Sequence, residues 1–541
     1  MAKRYALAVA LVLAGSMALR LVGLGWGLPH YDPRVLAHSL DRPTYHLDED
    51  NFLWGQVNPT SAAFEIHDFH WGTLQFLLIS GVLWLGQAVG VVHAPWQSAF
   101  VLGDASALPQ IYMLGRLVST AAGVAATGVV IALGQAVGGR CAGIGAGVAY
   151  ALAPLAVVEA HYLTNDLTMS ALVAGCVLAA VWAMGPGGRW GLVLAGLLLG
   201  LATATKYSAI FAAPALLPAQ WALWRGSRAD EGGRSTAWTV LPLPWAAAAL
   251  GFLLGEPYAV TAPGSVLAGI RSAAEANLVG TANWRAPLGM LRLQAQALGT
   301  LGLTWPLALL ALCGLVLLLA ALRPSRKGTR VPASPPPTGE RLRARKAVLL
   351  AAVAGLVVSV AVNSVFMLRY DQPLVPLLAV AVGVGWAAIP WAWGRVVAGG
   401  LAVAWAGAIT LGQLALMTEA HPANELQTWV LAQIAPGTQV ARTWREYPPL
   451  DDARYPQVHL DPWLPDLAPD QSPDYIIMDD MQYGPPTPRL AARLARDYTQ
   501  VARFSAQPHI GSFSWSEGST PHDWKYSHPS FVVYRRVGSG Q

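Results

Sequence analysis

Three adjacent acids stand in His46-Leu47-Asp48-Glu49-Asp50-Asn51-Phe52, and another closes His161-Tyr162-Leu163-Thr164-Asn165-Asp166. A carboxylate in a loop can take the proton of an attacking hydroxyl. Plainer readings compete: acids ahead of an apolar run also suit the positive end of a helix, and Asp166 stands where an N-cap would. Cations accompany these acids: Arg116 in Leu114-Gly115-Arg116-Leu117, Lys206 in Thr205-Lys206-Tyr207, and Arg369 in Arg369-Tyr370-Asp371. Each could anchor the chain at a membrane interface or bind a phosphate, for which an arginine offers a bidentate fork. A base beside cations suits displacement of a phosphate leaving group. His46, His161 and Tyr207 flank these positions and are candidates for substrate binding. No cofactor is required by this set. A divalent cation, Mg²⁺ or Mn²⁺, held by Asp48 and Asp166 would suit their hard oxygen ligands.

The elements that must position these residues are apolar helices. Of the 541 residues 54% are hydrophobic and 12% charged, against about 25% charged in soluble domains. Apolar segments long enough to span, or nearly so, fall at 5–25, 73–93, 112–134, 139–160, 166–184, 190–205, 207–224, 237–255, 297–322, 347–368, 373–391 and 396–417. Basic groups between them include Lys3, Arg4, Arg140, Arg189, the loop with Arg225, Arg228 and Arg234, the Pro-rich loop from Arg323 to Lys346, and Arg395. The positive-inside rule wants all of them cytoplasmic. That holds only if 73–93 does not cross, and so lies as a juxtamembrane or re-entrant helix on the external face. The expectation is a polytopic α-helical membrane protein with about eleven spans. Its N-terminus is cytoplasmic and its last part external, in the plasma (inner) membrane. The acids then gather outside, seven of them (Asp32, Asp41, Asp48, Glu49, Asp50, Glu65 and Asp68) in the first loop. Carboxylates near lipid are costly and tend to mark function.

Residues 1–417 are thus expected to form the membrane domain and 418–541 a small extracytoplasmic α/β domain. The latter carries 14 acids and 10 bases. Helical spacing runs over 424–434 and 489–498. Strand composition marks 439–444, 475–478 and 531–534, and the Pro-rich stretch 445–473 reads as irregular. A lid, an acceptor-docking surface or a passive cap would each suit it. No basic patch interleaved with aromatics points to nucleic acid. Cys141, Cys176 and Cys313 lie in apolar runs and read as packing residues.

Taken in order, the motifs resemble family 39 glycosyltransferases. These include the dolichyl-phosphate-mannose protein mannosyltransferases and the aminoarabinose transferases of lipid A. The resemblance rests on His46-Leu47-Asp48-Glu49, Phe69-His70-Trp71-Gly72, Arg116, the His161 to Asp166 turn, Thr205-Lys206-Tyr207 and Arg369-Tyr370. It departs at Leu47 and at Gly72-Thr73, where the family usually has prolines. The resemblance implies a C-type glycosyltransferase fold and a polyprenyl-phosphate-linked sugar as donor. It implies Asp48 as catalytic base, Glu49 as its acidic neighbour and Asp166 as second acid. It further implies Arg116, Lys206 and Arg369 as ligands of the donor phosphate. The acceptor is left open. The competing class is a transporter or lipid flippase, whose polar residues would sit near the bilayer midplane.

Overall fold

The computed structural model describes residues 2–28, 44–104, 106–229, 240–277, 285–323, 338–444, 447–448, 450–518 and 520–538. Asp32, Asp41, Asp230, Glu231, Arg234, Arg326, Lys327 and Arg330 lie outside the described residues. Among the described residues six helices are long and apolar enough to cross a membrane: Ala2–Leu21, Leu108–Ala151, Asp166–Ala183, Gly188–Thr205, Gly339–Ala361 and Ala392–Leu416. Shorter apolar helices run over Leu74–Ala88, Leu243–Gly255, Trp305–Ala320 and Val375–Ala387.

Leu108–Ala151 is two antiparallel arms. The chain reverses at Gly139, whose φ of 86° is open to glycine at little cost. Gly134 then lies against Ala142 and Gly143, and Ile131 against Gly147. Elsewhere small residues bring helices together, as membrane packing favours. A Cβ on Gly196, Gly200 or Gly251 would run into the backbone of the facing helix, 188–205 or 243–255.

The basic groups gather round the Gly139 reversal. Arg140 lies over the Tyr5 ring, Arg345 donates to the Ala136 carbonyl, and Trp386, which packs on Gly145, donates to the carbonyl of Arg395. Helix Leu74–Ala88 stays at the other end. Thr73, before its first residue, binds Glu256; Gln75 donates to the Thr164 carbonyl; and Gly86, near its last turn, packs on Leu114. Leu114 lies in the turn before Arg116. The helix therefore begins and ends on the same side, and the parity read from loop charge holds in the fold. Gly72 makes this approach close, because a Cβ there would strike the backbone of Ala204.

After Met417 the chain forms helix Pro422–Gln433 and a five-stranded sheet. Its strands are β1 (Val440–Arg442), β2 (Gln457–His459), β3 (Tyr475–Asp479) and β4 (Tyr498–Phe504). Residues His509–Ile510 (β5) and Phe513–Ser514 (β6) pair separately, and β7 (Phe531–Arg536) completes the large sheet. The order is β2-β1-β3-β7-β4, with β1 parallel to both neighbours and β7 antiparallel to both of its own. Sequence reading finds β1, β3, β7 and the two helices. It misses β2, inside the stretch taken as irregular, and β4, which follows helix Pro488–Asp497 without a break. Short strands flanked by proline have too little pattern to be seen alone. One face of this part joins the membrane core: Ala423, Leu426, Val440 and Tyr447 belong to the same buried cluster as Leu414 and the spanning helices, while Ala441, Val458, Ile476 and Leu490 form a cluster of their own.

Candidate active site

The first acidic motif folds as a short loop ahead of helix Glu49–Trp54. Asp48 stands at the N-cap position, yet its side chain caps nothing. It forms an ion pair with Arg369. The N-cap reading also fails for Asp166: it opens helix Asp166–Ala183, but its carboxylate meets the Lys206 ammonium at 2.7 Å. The two turns are tied directly, since Asn165 Nδ2 donates to the Thr205 carbonyl at 3.0 Å. Lys206 ends its helix in extended backbone (φ −152°, ψ 123°), which turns the side chain away from the helix C-terminus. Its Nζ lies 5.1 Å from the centroid of the Tyr370 ring. Tyr370 follows Arg369, so it stands between the two ion pairs.

Both pairs remain partly open. The side chains of Arg369 and Asp48 are 11% and 20% exposed, and those of Lys206 and Asp166 are 17% and 3% exposed. Burial alone would raise the Asp48 carboxyl, but the Arg369 cation, with help from His46 and Lys206, holds it down at about 2. The field of Lys206 at Asp48, and of Asp166 at Arg369, makes the four groups one cluster.

Arg116 and Glu49 are placed differently. Arg116 Nε and Nη2 meet the two Glu49 oxygens at 2.8 and 2.7 Å, and both side chains are 0% exposed. The remaining guanidinium nitrogen donates to the carbonyls of Leu24 and Trp26. Glu49 also accepts from the Thr44 hydroxyl at 2.6 Å and the Leu163 N–H at 2.7 Å. Four of the five guanidinium N–H groups and both carboxylate oxygens of this pair are met inside the protein. That arrangement sets Arg116 aside as a phosphate ligand and Glu49 as a group that could reach substrate. Together they lock the first loop to the ends of three helical segments, and so aim Asp48.

His161 and Tyr207 are likewise engaged. The His161 ring nitrogens face the carbonyls of Val157 at 2.8 Å and Val22 at 2.7 Å. The Tyr207 hydroxyl donates to the Phe69 carbonyl at 3.1 Å, pinning the aromatic external segment to the Lys206 turn. Of the three substrate candidates only His46 faces the cluster with a group to spare. Its Nδ1 accepts the Asp48 N–H at 3.2 Å, while Nε2 is buried without a partner. Burial pushes the imidazole down to about 4, so it is neutral near pH 7 with its proton on Nε2.

Sequence reading left four contributors without a role. Glu159, in the turn before His161, is buried with Oε2 unpartnered. Burial, and then the charge of Asp166, push its carboxyl well above the usual range. The others come from beyond Met417. Tyr526 sets its edge on His46 at 4.8 Å between ring centroids, His522 packs on Tyr483 at 4.3 Å, and Asp523 binds the Arg369 turn. Glu159 was visible as an acid beside a motif. The other three are more than 400 residues from the first loop; in sequence His522-Asp523 with His528 suggests at most a weak metal motif, and nothing local ties it to this site.

A metal fits this set poorly. Each of Asp48 and Asp166 already has a cation of its own. Among the described residues no group of three His, Cys, Asp or Glu could hold an ion. The stretch His67-Asp68-Phe69-His70, whose histidine spacing could also suggest a metal, has its atoms engaged by the protein: Asp68 accepts the His70 N–H, His67 Nδ1 faces the Glu65 carbonyl and His70 Nδ1 meets the Ser272 hydroxyl.

The sequence profile described as dolichyl-phosphate-mannose-protein mannosyltransferase matches residues 113–260. That stretch holds Arg116, Glu159, Asp166 and Lys206. No curated protein matches. Among solved structures, the chain is similar to ArnT from Cupriavidus metallidurans bound to undecaprenyl phosphate. Identity there is 14%, coverage 98% of each chain, and TM-score 0.49. It is also similar to the oligosaccharyltransferase AglB from Archaeoglobus fulgidus in complex with an inhibitory peptide and a dolichol-phosphate. In that case identity is 13%, coverage 84% of this chain and 64% of the other, and TM-score 0.47.

Proposed function

We propose that this chain is an integral-membrane glycosyltransferase of the C-type fold, allied to the dolichyl-phosphate-mannose-protein mannosyltransferases, that moves a sugar from a polyprenyl-phosphate donor to an acceptor hydroxyl. The observation that carries this reading is the pairing of Asp48 with Arg369 and of Asp166 with Lys206, all but Asp166 partly exposed, at the ends of apolar helices. A lipid-linked donor keeps its tail in the bilayer, so its phosphate must be met at that level. Asp48 takes the proton of the acceptor hydroxyl. The hydroxyl oxygen attacks the anomeric carbon from the face opposite the phosphate. The carbon–oxygen bond to phosphate breaks, and polyprenyl phosphate leaves with the negative charge on Arg369 and Lys206. The configuration at the anomeric carbon inverts. Asp166 orients Lys206, and His46, buried beside Tyr162 and Tyr526, supports Asp48 by accepting its N–H.

The arrangement also speaks against the transporter reading, because the charges collect at one end of the helices and not at mid-span. The site face is taken as external and the Gly139 face as cytoplasmic, in the plasma membrane, by the positive-inside rule. Single cysteines introduced beside Arg140 should therefore resist a membrane-impermeant thiol reagent in intact cells, in a background without the native cysteines. Labelling there from outside would reverse the orientation.

The function is tested with purified protein in lipid and a panel of polyprenyl-phosphate sugars, following release of polyprenyl phosphate. Lys206→Ala and Arg369→Ala should each weaken donor use by roughly 2–5 kcal/mol, as loss of a desolvated charge pair does. A wild-type protein inert toward every donor, or variants with unchanged donor KM and turnover, would count against the assignment.

A further inference from the structure

The Arg369 turn is held from an unexpected direction. Residues Leu368–Asp371 form one short 3₁₀ turn that follows extended backbone at Met367. The first N–H groups of such a turn have no partner within it. Here both are met by one carboxylate, 154 residues onward. Asp523 Oδ1 accepts from the Leu368 N–H at 3.1 Å, and Oδ2 accepts from the Arg369 N–H at 2.9 Å.

Asp523 is itself 6% exposed and sits in the turn His522–Ser527. That turn is fixed to the membrane helices. Glu517 accepts from Trp524 Nε1 at 3.0 Å and from Gln413 Nε2 at 2.6 Å, and its other oxygen meets His528 Nε2 at 2.8 Å. Gln413 belongs to the spanning helix Ala392–Leu416. The carboxylate therefore reaches the site from a rigid support.

We propose that Asp523 is a positioning residue, presenting Arg369 to Asp48 in the free protein and to the donor phosphate during transfer. This rests on the reading of Arg369 as a phosphate ligand. Arg369 has little else to hold it: its Nε is unpartnered, and Nη2 meets only the Met367 sulfur at 3.2 Å. When a phosphate draws the guanidinium from Asp48, the carboxylate still fixes the N–H groups of Leu368 and Arg369, beside the Gln294 bond to the Met367 carbonyl and the Tyr370 bond to Asn277, which also hold the turn. The part of the chain after Met417 thereby completes the active site and is more than a passive cap.

The test is a double-mutant cycle on donor kinetics, with wild-type transfer as the reference. Asp523→Asn keeps the shape but loses the charge and one acceptor. It should lower kcat/KM for the donor roughly 10- to 100-fold, the span for losing a charge-assisted hydrogen bond, with the larger part in donor KM. In an Arg369→Lys background the same change should cost less than about twofold, because coupled residues do not add. Asp523→Glu, which retains both acceptors, should keep more activity than Asp523→Asn. Equal losses in both backgrounds, or Asp523→Asn matching wild type, would overturn the inference. So would a fall in melting temperature with unchanged donor kinetics. A wild-type protein that transfers no sugar would instead remove the functional reading on which it rests.

Discussion

Asp48→Asn is expected to lose roughly 10²–10⁴-fold in turnover, the contribution of a positioned general base, while the protein still inserts and folds. The asparagine keeps the size of the side chain and can still accept from Arg369, so the fold survives, with a lower melting temperature because the charge of the pair is gone. What it cannot do is take a proton. Asp166→Asn should lose less, since Asp166 orients Lys206 and does not touch the attacking hydroxyl in this scheme. The acid side of the pH profile offers a second check. With its carboxyl held at about 2, Asp48 is ionised throughout the physiological range. The acid limb of kcat/KM, which reports the free protein, should therefore show no loss of this base until well below pH 4. The same depression makes the Asp48–Arg369 pair stabilising above the unfolded carboxyl range, and that stabilisation is lost as pH falls toward 2. A donor phosphate that takes Arg369 also releases Asp48 from its strongest partner, so the base strengthens as the substrate binds. Near-normal transfer by Asp48→Asn would remove Asp48 from the mechanism.

Arg116→Ala should be the most destabilising change of all. It leaves the Glu49 carboxylate at 0% exposure without its cation and frees two backbone carbonyls. Breaking a buried pair in this way costs about 3–5 kcal/mol. Glu49→Gln should cost a large part of the same, because the guanidinium is then left uncompensated. Replacing both by apolar residues of similar volume should cost less than either single change, since the desolvation penalty of both charges disappears together. Melting of the detergent-solubilised protein measures all three. An Arg116→Ala protein that melts normally yet has lost donor binding would return Arg116 to the role of phosphate ligand. The distinction matters because Arg116 and Arg369 look equivalent in sequence: each stands near the site-side end of an apolar segment.

Much of this protein could be read without its fold. Segment length and hydropathy fix the helices, because a bilayer admits little else. The sign of the loop charge fixed which helix stays on one side, and Leu74–Ala88 lies where parity required. Local spacing brought Asp48, Asp166, Lys206 and Arg369 to one face, since each stands at the end of a segment whose direction was already known.

What sequence could not decide is which acid meets which cation. Asp48 and Glu49 are neighbours, yet successive residues at a helix start point in different directions. One faces Arg369 and the half-open cluster, and the other turns inward to Arg116. That choice depends on packing between segments 67 and 321 residues apart. The same holds for His161 and Tyr207, whose polar atoms are taken by backbone carbonyls of distant loops. It holds most for Asp523. A lone acid in a Pro-rich tail has no local signature, and only the docking of that tail on the membrane helices makes it part of the site. Length, periodicity and charge act along the chain and are legible there. The partner of a buried charge is set by the surroundings that exclude water from it, and those are assembled only in the folded protein.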